Sequence, residues 1–137
     1  MIAADSSSLI AYLSGRAGRD VDAIDRALGD QQLCLPRVVL TELLSDPKAP
    51  PHLAAVLTQI PLLEVAKGFW ERAGRLRSRI VARKRRARLA DTLIAQSCLD
   101  NDLALITRDV DFRAFAEVAD LKIVGAPVHR RNRRAPW

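Results

Sequence analysis

The sequence predicts an α/β fold: a single three-layer α/β/α domain built on a mostly parallel five-stranded sheet. Short apolar runs alternate along the chain with longer segments of helical periodicity. The apolar runs are continuous, which is typical of strands that are buried on both faces of a parallel sheet. With 137 residues, the chain is also long enough to bury the core of one domain.

The first half of the chain alternates strands and helices. Strands are predicted for three apolar runs, 2–4, 33–35 and 62–65. Helices are predicted between them, starting at the cap-type residues 5–8 and continuing to 13, and then over 20–28, 38–44 and 52–60. Pro36 suits the first turn of the third of these helices, and the prolines of 46–51 indicate a loop.

The second half begins with a long helical segment over 69–86, in which Trp70 is expected in the core. The segment 89–98 lacks Gly and Pro and is mostly apolar, which predicts a largely buried helix. A strand over 103–107, a helix through about 117 and a last strand over 121–125 follow. We therefore predict one domain over residues 1–126 and a basic, flexible tail over 127–137.

The formal charge is +6, which favours a polyanionic partner, either nucleic acid or an acidic protein. Nine of the 22 basic residues lie between positions 72 and 88, where there is no acid. Five arginines recur there at spacings of 3, 4, 4 and 3 and form a single basic stripe on the predicted helix: Arg72, Arg75, Arg79, Arg83 and Arg86. Such a stripe is either a nucleic-acid contact or a solvated helix face.

Composition argues for a cytoplasmic protein. Cys34 and Cys98 lie in apolar segments, which favours small buried core residues over a disulfide or a cysteine metal site. No apolar run approaches the ~20 residues that span a bilayer, and the first residues do not resemble a signal peptide. We expect no membrane partner.

Four acidic residues are the candidates for chemistry. Asp5 and Asp109 directly follow predicted strands, while Glu42 and Asp91 lie in apolar helices. In parallel sheets, ligands bind at the carboxyl ends of the strands, where the strand order reverses. Structural roles are open for each residue: Asp5 and Asp109 could be helix caps, and Glu42 and Asp91 could pair with arginines at the edge of the core.

If these four residues converge, their negative charges repel one another. Two carboxylates ~5 Å apart repel by about 3 kcal/mol at an effective dielectric constant of ~20, so the site must gain protons or bind a cation. Because no His or Cys cluster accompanies the acids, oxygen ligands would dominate, and these suit Mg²⁺ or Mn²⁺ better than zinc. Such an ion can activate water and stabilise charge on a phosphoryl oxygen.

The motifs that contain these acids resemble those of PIN domains and, more narrowly, of VapC-type toxins from type II toxin–antitoxin systems. The matching segments span about 2–124 and read DSSSLI at 5–10, TELL at 41–44, ADTLIA at 90–95 and LITRDVDF at 105–112. In that family, an Asp follows the first strand, a Glu lies in a middle helix, an Asp opens a late helix, and an Asp or Asn precedes a Phe. One difference is mild, since Ser6 stands where Thr is common.

The resemblance implies a Mg²⁺- or Mn²⁺-dependent endoribonuclease that forms a homodimer and is inhibited by a small cognate antitoxin. Carried over to this sequence, the catalytic and metal-binding acids are Asp5, Glu42, Asp91 and Asp109, with Asp111 as an auxiliary acid. Ser7 matches a hydroxyl that often lies near the site. Under this hypothesis, the basic stripe holds the RNA backbone.

A second hypothesis belongs to a different class. The chain could be a non-catalytic module whose basic face binds nucleic acid or an acidic protein, with the acids as caps and salt-bridge members. Asp111 would then be an ordinary acid of a first helical turn, and Ser7 and Thr107 simple capping or turn hydroxyls. Metal binding distinguishes the two hypotheses, since only the enzyme requires it.

Overall fold

A computed structural model describes residues 1–125 of the chain. Over this range the protein has four short strands and seven α-helices. The predicted basic tail, 127–137, lies outside the described residues. Among the residues that are described, no helix combines the length and the apolar character needed to cross a bilayer.

The strands form one sheet in which every neighbouring pair is parallel. They are β1 (Ile2–Ala4), β2 (Leu33–Cys34), β3 (Leu105–Ile106) and β4 (Ile123–Val124). Their order in the sheet is β2-β1-β3-β4. Because the chain adds β2 on one side of β1 and β3 on the other, the order reverses between β1 and β3. The carboxyl ends of these two strands therefore form the edge at which a parallel sheet binds ligands.

Helices connect the strands and cover the sheet. They are α1 (Ser6–Leu13), α2 (Arg19–Gly29), α3 (Arg37–Leu44), α4 (Leu53–Leu57), α5 (Phe69–Ala82), α6 (Leu89–Asp100) and α7 (Arg113–Ala119). A 3₁₀ turn (Val110–Phe112) precedes α7. The helix α2 packs against β2, β3 and β4, whereas α6 packs between α3 and α5. The predicted three-layer α/β/α architecture is confirmed.

The core is made largely by the continuous apolar segments that predict the strands and α6. Leu105 and Ile106 of β3 are fully buried, as are Ile94 and Cys98 of α6. This burial explains why α6 is apolar around much of its circumference. The prediction that Trp70 lies in the core is wrong. This residue is 64% exposed, and its ring packs edge-on against Phe69 at the start of α5.

The predicted fifth strand, 62–65, is reduced to one bridge between Leu62 and Leu35. The Leu35 N–H donates to Pro61 O, and the Leu63 N–H donates to Leu35 O, both at 2.9 Å. The ladder stops there because the chain enters α3 at Arg37. The Arg37 side chain, through Nε, donates to the Leu63 carbonyl at 3.0 Å, where a continuing strand would have placed a backbone N–H.

Candidate active site

Asp5 lies between the carboxyl end of β1 and the start of α1. Its side chain is fully buried, and Oδ1 accepts a hydrogen bond from the backbone N–H of Ser8 at 3.0 Å. The Ser7 hydroxyl donates to the same carboxylate, 2.8 Å from Oδ2. Asp5 is therefore the N-cap of α1, and Ser7 lies beside it. Capping does not exclude a role at the site, since it holds the carboxylate at the sheet edge.

Thr107 connects Asp5 to the end of the neighbouring strand, β3. Its fully buried hydroxyl donates to Asp5 Oδ2 at 2.6 Å and accepts a hydrogen bond from the backbone N–H of Asp109 at 3.0 Å. Asp109 in turn accepts from the backbone N–H of Asp111 at 2.9 Å and caps the 3₁₀ turn. One hydroxyl thus fixes the spacing between the two acidic turns.

Three aspartates converge at this edge of the sheet: Asp91, Asp109 and Asp111. Each offers a carboxylate oxygen, and the three oxygens lie within 4.8 Å of one another. Asp91, in the first turn of α6, is 1% exposed, and Asp109 is 2% exposed. We call these residues the three-carboxylate group. It contains two of the four predicted acids, together with the predicted auxiliary acid.

The three-carboxylate group fits a divalent cation. All of its ligand atoms are oxygens, which Mg²⁺ and Mn²⁺ prefer. Three negative charges at this separation repel one another strongly in a buried site. In addition, Oδ2 of Asp111 is buried and accepts no hydrogen bond from residues 1–125, with the Arg86 guanidinium 3.9 Å away. The group therefore has both the charge and the acceptor capacity for a hard cation.

Glu42 lies on α3 and is not a member of the three-carboxylate group. It accepts a hydrogen bond at 3.1 Å from the hydroxyl of Ser6, the residue that follows Asp5. Neither Asp5 nor Glu42 belongs to the set of oxygens that meet within 4.8 Å. The described chain thus divides the predicted acids into the three-carboxylate group and the remaining two, with Thr107 linking Asp5 to the group.

The predicted arginine stripe is not uniform on α5. Arg72 forms an ion pair with Asp100, with Nη2 2.6 Å from Oδ2, and this hydrogen bond lowers the pKa of Asp100. Arg79 donates to the Val118 carbonyl at 2.7 Å, while Arg75 is exposed. Two of the arginines therefore tie α5 to its neighbours, and this was not predicted from their spacing.

The predicted helix 69–86 is too long, since α5 ends at Ala82. The chain reverses at Lys84, which has φ +59°, and the Arg85 N–H donates back to the Ile80 carbonyl. A left-handed residue at this position commonly closes a helix and is usually Gly, so a lysine here does not indicate where the helix ends. As a result, Arg86 leaves the stripe and lies beside Asp111.

A further buried acid, Asp20, is not among the candidates that the sequence predicts. It is 3% exposed, and Oδ2 accepts from Arg108 Nε at 2.7 Å and from the Ser8 hydroxyl at 2.8 Å. Burial alone would raise the pKa of Asp20, but these hydrogen bonds outweigh it and lower the pKa. A side chain at Gly18 (φ +153°) would collide with this pair, because its Cβ would lie 2.5 Å from Asp20 Oδ1.

Sequence reasoning also missed the roles of Ser6 and Thr107. Their hydrogen bonds join segments that are far apart in the chain, so the pattern of apolar residues does not distinguish them from ordinary capping hydroxyls. A usable signal existed for Thr107: a hydroxyl residue two positions before an aspartate, directly after a buried strand, can bond both to that turn and to the neighbouring strand end. No local signal distinguishes Ser6 from Ser7 and Ser8.

Comparison with known proteins places this chain in a recognised family. A family model described as the PIN domain matches residues 2–118. No curated protein sequence matches the chain.

Solved structures share the fold at low sequence identity. VapBC2 from Rickettsia felis, bound to a DNA fragment from its promoter, is 15% identical with a TM-score of 0.71, over 90% of this chain and 97% of that chain. A toxin–antitoxin complex from Klebsiella pneumoniae is 22% identical with a TM-score of 0.66, over 94% and 99%. FitAcB from Neisseria gonorrhoeae is 19% identical with a TM-score of 0.64, over 90% and 96%.

Proposed function

Because the chain belongs to the PIN-domain family, we propose that it is a Mg²⁺- or Mn²⁺-dependent endoribonuclease and the toxin of a toxin–antitoxin pair. PIN domains are generally nucleases. The observation that carries the proposal is the convergence of Asp91, Asp109 and Asp111, where the first turn of α6 meets the turn that follows β3. A structural role alone does not explain why three acids meet so closely at a largely buried edge.

The proposed roles follow from the contacts of each residue. The three-carboxylate group holds the divalent ion, which supplies a more acidic water and charge stabilisation on the phosphoryl oxygens when bound. Asp5 fixes the turn of Asp109 through the Thr107 hydroxyl. Glu42, which accepts a hydrogen bond from the residue after Asp5, is proposed to orient water or to complete the ion's ligands. No side-chain nucleophile is required.

RNA is the proposed substrate because the chain is strongly basic and the site is acidic. With a formal charge of +6, the protein attracts a polyanion, whereas the three-carboxylate group alone would repel one. Exposed arginines of the predicted stripe, Arg75 and Arg83, are proposed to contact the RNA backbone without reading its sequence. We further propose that the enzyme acts in the cytoplasm, where cellular RNA is available.

A small antitoxin is the proposed protein partner. Two of the similar structures are described as a VapBC assembly and a toxin–antitoxin complex. Their fold is shared over nearly the whole of both chains, which supports a common mode of regulation. Homodimerisation is proposed from the resemblance of the sequence motifs to those of VapC-type toxins.

The test is Asp91→Asn, with Asp22→Asn on the exposed face of α2 as a matched control. We expect Asp91→Asn to lower Mn²⁺-dependent cleavage of single-stranded RNA more than about 100-fold, because removing even an outer partner of a metal ligand costs about 10–100-fold. Asp22→Asn should cleave like the wild type. Circular dichroism verifies that both variants fold. Full activity in Asp91→Asn would refute the proposed site. Absence of Mn²⁺-dependent cleavage by the folded wild type would favour the non-catalytic binding module.

A further inference from the structure

A cleft of about 440 Å³ lies directly beside the three-carboxylate group. One wall is the turn that follows α5, and the other is the start of α7. Asp111 belongs both to the lining of this cleft and to the three-carboxylate group, so the two sites are continuous. The volume is within the range of about 300–1,000 Å³ that is usual for ligand-binding clefts.

The charge of the cleft is predominantly positive. Four basic residues line it, against two acids: Lys84, Arg85, Arg86, Arg113, Asp111 and Glu117. The acids are already engaged by two of the cations, since Arg85 forms an ion pair with Glu117 and Arg86 lies 3.9 Å from Asp111. The cleft therefore retains two positive charges that its own acids do not offset.

Those two charges belong to Lys84 and Arg113, which lie on opposite walls. Both residues are exposed, and neither forms an ion pair or a side-chain hydrogen bond with another residue of 1–125. Lys84 is held at the tip of its turn by the left-handed backbone conformation that ends α5. A ligand that satisfies both cations must carry negative charge along its length.

We propose that this cleft binds the backbone phosphates of a single-stranded RNA, next to the phosphodiester held at the three-carboxylate group, with Lys84 and Arg113 as the contacts. This inference rests on the proposed function and adds the path of the substrate to it. RNA is favoured over an acidic protein segment because the cleft opens onto the acids that would perform the hydrolysis. A phosphodiester chain that is bound at the three-carboxylate group can extend into the cleft.

The test compares two double variants that remove the same charge. The cleft variant is Lys84→Gln with Arg113→Gln. The control is Arg26→Gln with Lys122→Gln, two exposed residues at the opposite edge of the sheet, near the starts of β2 and β4. Binding of a short fluorescein-labelled single-stranded RNA is measured by anisotropy in EDTA at several KCl concentrations. Cleavage of the same RNA is measured in Mn²⁺.

We expect the cleft variant to bind RNA about tenfold more weakly and to reduce the salt slope by about 1.4, because each phosphate contact on a single strand contributes about 0.7. In Mn²⁺, KM should rise while kcat changes little, as expected when binding common to substrate and transition state is removed. The control should retain the wild-type slope. Equal effects in both variants, or no effect in the cleft variant, would overturn the inference.

The same experiment separates this inference from the proposed function. Wild-type cleavage in Mn²⁺ together with an unaffected cleft variant would refute the cleft and leave the nuclease intact. If the wild type neither binds nor cleaves RNA, both proposals are wrong. A fluorescein-labelled poly-glutamate peptide provides the last comparison: a cleft variant that loses this peptide but binds RNA normally would assign the cleft to an acidic protein instead.

Discussion

Two buried aspartates near the end of β3 differ in how their charge is compensated. Asp20 is 3% exposed and receives hydrogen bonds from Arg108 and Ser8. Asp109 is 2% exposed and meets the carboxylates of Asp91 and Asp111. Arg108 and Asp109 are consecutive in the chain, so one turn provides the cation of the first arrangement and an acid of the second.

The comparison shows that burial alone does not identify a functional acid. A buried carboxylate that pairs with an arginine has its charge compensated within the fold, as in an ordinary structural ion pair. A carboxylate placed among other carboxylates increases the local charge instead of reducing it. The second arrangement should gain stability when a cation is added. The two aspartates should therefore respond in opposite ways to mutation and to metal.

The largest effect is expected from breaking the ion pair between Arg108 and Asp20. Arg108→Met removes the cation and leaves Asp20 buried without it, and we expect a loss of about 3–5 kcal/mol in the free energy of unfolding. Urea denaturation without metal measures the loss. Arg26→Met, at an exposed position, is the control and should stay within about 0.5 kcal/mol of the wild type. If the two variants lose equal stability, Arg108 does not compensate Asp20.

Mn²⁺ should stabilise the protein by binding to the three-carboxylate group. We expect Mn²⁺ to raise the free energy of unfolding of the wild type by about 2.7 kcal/mol at a concentration of 100 Kd. Asp20→Asn should keep this gain even though it lowers the starting stability, whereas Asp109→Asn should lose it. Thermal unfolding with and without Mn²⁺ provides the measurement. A full gain in Asp109→Asn would show that the ion binds elsewhere.

The smallest effect on the free energy of unfolding is expected from low pH, which weakens the ion pair between Asp20 and Arg108. The pKa of Asp20 is lowered in the folded protein, so its contribution to stability is complete above the unfolded pKa of about 3.9. The contribution is lost as the pH falls from there through the folded pKa. Unfolding free energies measured between neutral and acidic pH should fall less steeply for Asp20→Asn than for the wild type. Parallel curves would contradict this assignment.

Sequence patterns predicted the order of the elements because strands and helices differ in the period of their apolar residues. The fold class, the parallel sheet and the buried helix α6 follow from that period. The missing fifth strand depends on where Arg37 directs its side chain, and the early end of α5 depends on the backbone of Lys84. Neither leaves a mark in the apolar pattern, so neither could be predicted.

The candidate site could be predicted from the sequence to a similar extent. The positions of Asp5 and Asp109 follow from their place directly after strands, and that of Asp91 from an acid that opens an apolar helix. The grouping could not be predicted, because it depends on distances between segments far apart in the chain. Asp111 joins the three-carboxylate group only through the 3₁₀ turn that Asp109 caps. The pairing of Arg72 with Asp100 likewise requires coordinates.

The hydrogen bond between Thr107 and Asp5 joins residues that are 102 positions apart. During synthesis, β1 leaves the ribosome before its partner β3, which follows it by about 100 positions. The acidic edge is therefore assembled only after β3 has been made. Contacts between such distant segments also slow folding. A nascent chain with this topology carries its acids on separate segments, and the three-carboxylate group can form only after β3 and the turn that follows it have been made.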